Sequence, residues 1–383
     1  MNQQKIIIIG TAYPYRGGIA AFNERLAQQW ITEGHEVEIY TFTLQYPHFL
    51  FPGKTQYRNE DAPKGLIIHR EINSINPINW FKTGKKIRKR EPDLVIIPYW
   101  MSFMAPCLGT IAKQIKKNQS ILIIGLVHNM MPHEPSLLDK IFPAHYVKNV
   151  DAFVSLSKSV LTDINKFDKK KKPKAFSPHP IYDHYGALLP KNDAKKMLNL
   201  DTNVNYLLFF GFIRAYKGLD ILLEAFADER IKQLPIKLIV AGEFYENEQT
   251  YLEIIKNHNL NENVLLFNNF IPDNQVNQFF SACDVVVQPY KTATQSGITQ
   301  IAYHFEKPMI VTHVGGLAEI VPDGKCGYVV QPNATAIAKA IYNFYYHNNE
   351  ALFVENCKSE KEKYDWKRMT ETLLNLVNQI NIN

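Results

Sequence analysis

Residues 209–227 read Phe-Phe-Gly-Phe-Ile-Arg-Ala-Tyr-Lys-Gly-Leu-Asp-Ile-Leu-Leu-Glu-Ala-Phe-Ala, and they predict a strand, a basic loop and a helix in that order. Tyr206 to Phe210 is a short apolar run typical of a buried strand. Apolar residues then recur at helical spacing between Leu219 and Phe226. The loop between strand and helix contains two glycines and two cations, Gly211, Arg214, Lys217 and Gly218.

Ligands of open α/β sheets bind at the carboxyl ends of the strands, where this loop lies. A guanidinium and an ammonium close to the unpaired N–H groups of a helix start suit a diphosphate. Arg214 and Lys217 are therefore candidates for a diphosphate site, with Gly211 allowing close approach of the ligand. A solvated basic loop is the alternative interpretation, and the surrounding chain has to decide between the two.

Strand and helix patterns alternate through both halves of the chain, which has 383 residues and is long for one core. Strands are predicted at residues 5–10, 37–42, 66–69, 94–98, 121–127 and 152–156, and then at 206–210, 236–241, 264–267, 284–288 and 309–312. This order predicts an α/β protein with two doubly wound Rossmann-like domains facing a cleft. We expect domains at residues 1–185 and 186–360 and a final segment 361–383. One long amphipathic helix is predicted over 360–382, so it begins at the last residue of the second domain.

The composition is that of a folded soluble protein, with 46% hydrophobic and 21% charged residues. The net charge of +6 is concentrated in two clusters, which are Lys85, Lys86, Arg88, Lys89 and Arg90, and Lys169, Lys170, Lys171, Lys172 and Lys174. These clusters permit peripheral contact with an anionic membrane or an acidic substrate, and solvated faces are the alternative. Nucleic acid is disfavoured as a partner because no aromatic residues are interleaved and no binding motif accompanies the clusters.

The protein is predicted to be cytoplasmic, and the inner face of the cell membrane is the more specific location left open. Four scattered cysteines without metal or redox spacing indicate reduced thiols. The start of the chain does not resemble a signal peptide, and no stretch approaches the roughly 20 apolar residues of a membrane-spanning helix.

Two places in the first half are candidates for ligand contact. Gly17 and Gly18 end the loop after the first predicted strand, where they either let a ligand approach the backbone or only make a turn; their spacing does not fit G-x-G-x-x-G, which argues against a dinucleotide oxidoreductase. His128 follows a central strand, where it either contacts a ligand or satisfies a loop hydrogen bond. The nearby His133 and Glu134 are weaker candidates, and the three do not have the spacing of a helical zinc site.

A second helix start is predicted near the basic loop. Ser296 can cap a helix that begins Gly297-Ile298-Thr299, with Gln295 just before it, and its first N–H groups would face the ligand. Glu319 follows the next strand, where it either accepts hydrogen bonds from ribose or sugar hydroxyls or caps a short helix.

Taken together, these motifs resemble the group 1, or family 4, glycosyltransferases with the two-Rossmann GT-B fold, particularly the polysaccharide-building branch. The resemblance spans nearly the whole chain. It rests on Gly211 to Asp220, Val240-Ala-Gly242-Glu, Gln295 to Thr299, Glu306-Lys307-Pro308, Gly315-Gly316-Leu-Ala-Glu319, Asp323-Gly324, Gly327, Val329-Val330, Arg16-Gly17-Gly18-Ile19-Ala20 and His128.

The resemblance implies transfer of a hexose-type sugar from a UDP- or GDP-sugar donor to a glycan or lipid-linked acceptor, with retention of configuration and without a required metal or other cofactor. Arg214 and Lys217 would neutralise the leaving diphosphate, and His128 would contact the transferred sugar. The second domain would hold the nucleotide and the first the acceptor, with the last helix crossing back to the first domain.

One departure from the family pattern bears on the donor. The positions of the family's usual glutamate pair, counted back from Lys307-Pro308, are Ala293 and Ile301 here, and neither can hold a sugar hydroxyl. A catalytically silent GT-B protein that binds a glycan is therefore one alternative. A sugar-nucleotide epimerase or a phosphorylase is another.

Overall fold

The computed structural model describes residues 3–47, 55–58, 61–131, 137–293 and 296–382. The chain divides into two compact units, the first made of Met1–His179 with Trp366–Asn383 and the second of Pro180–Asp365. These divisions differ by a few residues from the predicted ones after 185 and 360. The Ile181 N–H donates to the Tyr364 carbonyl oxygen at 3.0 Å, and this bond keeps both segments in the second unit.

The first unit is a parallel sheet with helices on both faces. Its elements are β1 (Lys5–Ile9), α1 (Gly18–Thr32), β2 (Glu36–Leu44), β3 (Ile67–Asn73), α2 (Pro77–Lys89), β4 (Leu94–Tyr99), α3 (Ala105–Ile115), β5 (Leu122–Val127), α4 (Leu137–Lys148), β6 (Ala152–Ser155), α5 (Lys158–Phe167), β7 (Lys174–Phe176) and α15 (Trp366–Ile382). Within the described ranges the strand order is β3-β2-β1-β4-β5-β6-β7. The chain therefore starts in the middle of the sheet and winds outward in both directions.

The sequence of β1 shows why this sheet is buried on both faces. Side chains of a strand alternate between the two faces, so a run of isoleucines supplies both cores. Ile7 and Ile9 pack in one cluster with residues of α3 and α4, and Ile6 and Ile8 pack in the other with residues of α1 and α15.

The second unit repeats this architecture. Its elements are α6 (Lys191–Met197), β8 (Asn205–Phe210), α7 (Leu219–Phe226), α8 (Glu229–Lys232), β9 (Ile236–Ala241), α9 (Glu248–Asn257), β10 (Val264–Phe267), α10 (Asp273–Ala282), β11 (Val285–Gln288), α11 (Gly297–His304), β12 (Met309–Thr312), α12 (Leu317–Ile320), β13 (Gly327–Val330), α13 (Ala334–Tyr346) and α14 (Glu350–Lys361). Its described strands are ordered β10-β9-β8-β11-β12-β13. The predicted α/β class with two doubly wound units is confirmed.

The end of the chain is not the single helix predicted over 360–382. The helix α14 ends at Lys361, a 3-10 turn follows at Glu362–Tyr364, and Asp365 is extended. The Tyr364 hydroxyl donates to the Ile320 carbonyl oxygen at 3.1 Å, whereas Trp366 packs on Phe22 in the first unit with ring centroids 5.0 Å apart. The helix is interrupted because its two parts belong to different cores.

Two short edge strands, β7 and β13, lie outside the predicted set. β7 has three residues within a lysine-rich and proline-rich segment and is held by pairing with β6. β13 begins at Gly327, where an added Cβ would lie 1.7 Å from the Met309 carbonyl oxygen. Such short strands depend on their neighbour rather than on their own sequence. Within the described ranges, no helix has an apolar stretch that could cross a bilayer.

Candidate functional site

The strand order places two loops of the second unit side by side. The order reverses between β8 and β11, and open α/β sheets bind ligands at such a reversal, beyond the carboxyl ends of the strands. The loop after β8 carries Gly211, Arg214 and Lys217, and the loop after β11 leads to Ser296. The predicted basic loop and the predicted helix start therefore lie at the same switch point.

Gly218 fixes the contact between these two loops. Its φ is +70°, and an added Cβ would lie 2.0 Å from the Pro289 carbonyl oxygen. The Lys291 N–H also donates to the Tyr216 carbonyl oxygen at 2.7 Å. Since no other residue type fits at Gly218 without moving the backbone, the approach of the loops depends on this glycine.

Lys217 is a buried cation beside Gly211. Its Nζ lies 3.0 Å from the position that a Cβ on Gly211 would occupy, and 5.7 Å from the centroid of the Tyr290 ring. In the described part of the chain, no carboxylate or hydrogen-bond acceptor contacts this ammonium. Burial and the charge of Arg214 lower the pKa of Lys217 to about 8, so the group is still mostly charged at neutral pH. A buried charge without a counter-charge favours binding of an anion.

Arg214 supplies a second cation next to Lys217. It is half-buried, and its guanidinium carbon lies 5.0 Å from the centroid of the Tyr245 ring. Among the described residues no carboxylate forms an ion pair with it. The tyrosine ring attracts the guanidinium without neutralising it, so the hydrogen-bonding groups of the arginine stay available to a ligand.

The predicted helix start at Ser296 is confirmed. Ser296 Oγ accepts a hydrogen bond from the Ile298 N–H at 3.2 Å, and it lies 3.3 Å from the Tyr290 hydroxyl. Ile298 Cδ1 lies 3.4 Å from the position of a Cβ on Gly211, which sets the first turn of α11 against the basic loop. At Gly297 an added Cβ would meet the Tyr182 ring at 3.0 Å, so the glycine makes room for that ring. The positive end of α11 therefore lies close to the Lys217 ammonium.

Other predicted residues of this unit are placed differently. The Thr299 side chain is fully buried and donates to Gln288 Oε1 at 3.2 Å, so its hydroxyl supports the helix from inside rather than facing a ligand. Glu319 does not cap α12, because the residue at the cap position is Gly316. Its carboxylate is exposed and makes no hydrogen bond in the described part of the chain. Gln295 lies outside the described residues.

Ala293 and Ile301 stand where the family's glutamate pair is expected. Ala293 is half-buried and Ile301 is buried in the protein interior. Neither side chain has a polar atom. Neither position can therefore supply the carboxylate that the resemblance implies for holding a donor sugar.

The first unit has its own switch point, between β1 and β4. Gly17 is the cap residue of α1, with φ +111° and no described atom within 4 Å of an added Cβ. Gly17 has no side chain to cap the helix, and the first turn of α1 contains no acidic residue. Gly17 and Gly18 are both exposed at the start of α1.

His128 lies directly after β5 and is buried. Its N–H donates to the Tyr99 carbonyl oxygen at 2.8 Å, and its ring lies 4.8 Å from Phe22 and 6.4 Å from His179, measured between centroids. Burial, with a smaller effect of His179, lowers the pKa of His128 to about 3. His128 is therefore a neutral imidazole at physiological pH and cannot act there as a cation. His133 and Glu134 lie outside the described residues.

Three aromatic residues next to the candidate groups escape prediction from sequence. Tyr290 and Tyr245 lie beside the two cations, and His179 lies beside His128. Tyr290 is the one that the sequence could have revealed, because it lies two residues after the strand run that leads into the second loop. Tyr245 and His179 are brought in from distant segments, and no local pattern marks them.

Two family models match the chain. The model described as glycosyl transferases group 1 matches residues 190–359, and the model described as glycosyltransferase family 4 matches residues 16–175. Each match lies within one structural unit.

Relatives of known sequence or structure agree with these matches. An uncharacterized glycosyltransferase of Methanocaldococcus jannaschii is 26% identical over 95% of this chain and 95% of its own length. The lipopolysaccharide 1,2-N-acetylglucosaminetransferase of Salmonella typhimurium is 27% identical over 36% of this chain and 38% of its own length. The Anabaena protein HepE, crystallised with UDP and glucose, superposes with a TM-score of 0.72 at 15% identity, over 98% of this chain and 100% of that one. The chain belongs to the group 1, family 4 glycosyltransferases and has their two-domain GT-B fold.

Proposed function

Starting from this membership, we propose that the chain transfers a hexose-type sugar from a UDP- or GDP-sugar to a glycan or lipid-linked acceptor in surface polysaccharide biosynthesis, with retention of configuration. The observation that carries the proposal is the Lys217 ammonium. It is buried with no counter-charge among the described residues, beside Arg214 and close to the start of α11. A nucleotide diphosphate would supply the missing negative charge.

The chemistry proposed for these groups is stabilisation of the leaving group. When the bond between the sugar and the diphosphate breaks, negative charge grows on the phosphate oxygen. Lys217 and Arg214 would offset that charge, and the dipole of α11 would add to their effect. Gly211 would let the phosphates approach the backbone, since an added Cβ there would crowd Lys217 Nζ. The cations and the helix act without a metal in this proposal.

The first unit is proposed to hold the acceptor and to contribute contacts to the transferred sugar. A neutral His128 can donate or accept one hydrogen bond to a sugar hydroxyl, and it carries no charge that would compete with the leaving group. Gly17 and Gly18 would let a ligand approach the backbone closely at the exposed start of α1. Glu319, with its exposed carboxylate, is the proposed acceptor of hydrogen bonds from donor hydroxyls.

The names of the relatives favour a glycan or lipid-linked acceptor. The Salmonella relative acts on lipopolysaccharide, and a GDP-mannose:glycolipid 4-beta-D-mannosyltransferase of Xanthomonas campestris is 30% identical over 27% of this chain and 29% of its own length. Four buried cysteines with free thiols support a reducing compartment, and we propose the cytoplasm.

Thermal shifts of the wild type against UDP, GDP, ADP and CMP test the donor class. A ligand that binds only the folded state raises the apparent stability. We expect UDP or GDP to stabilise the wild type. Arg214→Ala should lose roughly 10- to 100-fold in affinity, because a charge-assisted hydrogen bond is worth about 1.5–3 kcal/mol. Binding of no nucleotide by a folded wild type, or equal binding by Arg214→Ala, would overturn the proposal.

A catalytically silent glycan-binding protein is the second candidate, favoured by Ala293 and Ile301 at the glutamate positions. Incubation with the sugar nucleotide identified by the thermal shifts separates the two candidates. Transfer, or slow hydrolysis that Lys217→Met abolishes, excludes the silent protein. Nucleotide binding with no turnover and with intact glycan binding supports it.

A further inference from the structure

The helix α2 combines strong positive charge with a firmly packed inner face. Its sequence, Pro-Ile-Asn-Trp-Phe-Lys-Thr-Gly-Lys-Lys-Ile-Arg-Lys, has five basic residues and no acidic one. Thr83, Gly84 and Ile87 are buried, and an added Cβ on Gly84 would lie 2.7 Å from Gln114 Cβ on α3. Close packing at Gly84 fixes α2 against α3, so the opposite side of the helix faces outward.

The outward side exposes large apolar side chains at helical spacing. Ile75, Ile78 and Phe81 are 51%, 67% and 52% exposed, respectively. Surface exposure of three neighbouring large apolar residues costs solvation free energy unless something covers them. This row begins just before α2 and runs along its first two turns.

Three lysines with free ammonium groups continue the same side. Lys82, Lys85 and Lys89 are exposed, and within the described ranges none of them contacts a carboxylate. Two other cations of the helix are engaged: Lys86 pairs with Glu71, and Arg88 donates to the Gln114 carbonyl oxygen at 3.0 Å. We call Ile75, Ile78, Phe81, Lys82, Lys85 and Lys89 the α2 face.

We propose that the α2 face docks on an anionic lipid bilayer. Apolar side chains flanked by lysines fit the boundary between headgroups and acyl chains, since the rings and branched chains enter the apolar layer while the ammonium groups reach the phosphates. A protein partner would need carboxylates placed opposite each of the three lysines. A negatively charged membrane surface neutralises the lysines in any arrangement, because its headgroups are mobile.

A polar cavity lies beside the α2 face and would sit at headgroup depth. It has a volume of about 420 Å³, and its lining includes Arg70, Asn73, Asn79 and Lys82, together with the ion pair between Glu71 and Lys86. Arg70 and Lys82 make no ion pair in the described part of the chain. If the chain is a transferase for lipid-linked acceptors, as proposed above, this cavity can hold the phosphate of a lipid at the surface. This consequence rests on the proposed function, but membrane docking itself does not.

The second lysine cluster provides a matched control for charge. Lys172 Nζ donates to the Val147 carbonyl oxygen at 2.6 Å, and Lys174 pairs with Asp168 at 2.5 Å, so these two cations support the fold. Lys169, Lys170 and Lys171 are exposed, like the lysines of the α2 face. Leu352 on α14, 59% exposed, is the corresponding control for apolar residues.

Cosedimentation with vesicles tests the proposal. The wild type should bind vesicles that contain phosphatidylglycerol and not vesicles of phosphatidylcholine alone. Replacing Lys82, Lys85 and Lys89 with Gln should weaken binding roughly 100-fold, given the free energy per basic residue near an anionic surface. Ile78→Ser with Phe81→Ser should weaken it roughly tenfold. The variants K169Q/K170Q/K171Q and Leu352→Ser should bind like the wild type.

Two results would overturn docking through the α2 face. One is a wild type that does not bind anionic vesicles, and the other is equal binding by the α2 variants and the controls. The nucleotide thermal shift, measured on the same preparations, reports separately on the proposed function. A protein that binds nucleotide but not vesicles loses only the docking proposal, and a protein that binds vesicles but no nucleotide loses only the proposed transferase activity.

Discussion

The two units have the same strand order at their centres but place different chemistry at the carboxyl ends of their strands. In the second unit the loop after β8 holds two cations, Arg214 and Lys217, that no described carboxylate neutralises. In the first unit the residue after the central strand β5 is His128, a buried imidazole that stays neutral. The shared topology determines where a ligand can bind, and the side chains on the loops determine what charge it can carry.

Removal of the Lys217 charge is the strongest test of this contrast. Lys217→Met should lower the rate of sugar transfer or donor hydrolysis roughly 100- to 1000-fold, as expected for loss of a group that stabilises developing charge. Single-turnover kinetics with the donor identified by the thermal shifts would measure the effect. The control is Lys291→Met, in the neighbouring loop, whose ammonium pairs with Asp220 at 2.5 Å. If both variants keep wild-type rates, the difference in charge between the units has no catalytic role.

Two glycines compare the units in folding stability. Gly218→Ala should lower the free energy of unfolding by roughly 2–5 kcal/mol, because alanine disfavours the left-handed backbone and its Cβ would clash with the Pro289 carbonyl oxygen. Gly17→Ala should lower the free energy of unfolding by only roughly 1–3 kcal/mol, because no described atom lies within 4 Å of the added Cβ and only the backbone strain remains. All four tryptophans, Trp30, Trp80, Trp100 and Trp366, belong to the first unit.

Urea unfolding followed by tryptophan fluorescence therefore reports on the first unit, and circular dichroism reports on both. We expect Gly218→Ala to lower the midpoint in circular dichroism more than in fluorescence. A larger effect of Gly17→Ala would mean that the clash at Pro289 relaxes easily.

Acid should weaken the first unit through His128. A histidine whose pKa is lowered in the folded state binds its proton in the unfolded state first, so stability is lost as the pH falls below 6.5. With a folded pKa of about 3, the loss at pH 5 should be about 2 kcal/mol relative to His128→Phe, which has no titrating group there. Urea unfolding of both proteins at pH 7 and pH 5, followed by tryptophan fluorescence, measures the difference. Equal losses in the two proteins would show that His128 is more accessible to water than its burial indicates.

Base should weaken nucleotide binding in the second unit. The diphosphate prefers the charged form of Lys217, whose pKa is lowered to about 8. Affinity should therefore be constant below pH 8 and fall about tenfold by pH 9. Isothermal titration at several pH values would detect this decline in the wild type and its absence in Lys217→Met. A decline of the same size in the variant would assign the titration to another group.

Sequence patterns were sufficient for the features that depend on local structure. The central strands have long apolar runs, and the Ser296 cap involves only Ser296 and the neighbouring Ile298. The sequence therefore predicts both features correctly. The burial of Thr299 was not, because it depends on Gln288 eleven positions away. β7, β13 and the break before Trp366 were missed for a similar reason: each depends on a partner element rather than on its own sequence. The lack of a described counter-charge at Lys217 and the neutral imidazole of His128 likewise depend on burial, which the sequence does not reveal.

The position of α15 has a consequence for synthesis on the ribosome. The chain leaves the first unit after His179 and returns to it only at Trp366, so the second unit is made in between. At roughly 5–20 residues per second, translation of that insertion takes roughly 10–40 s. During this time the apolar groove that later receives Trp366, Met369 and Leu373 is open on the nascent first unit. The whole second unit is therefore synthesised before the first unit receives its last helix.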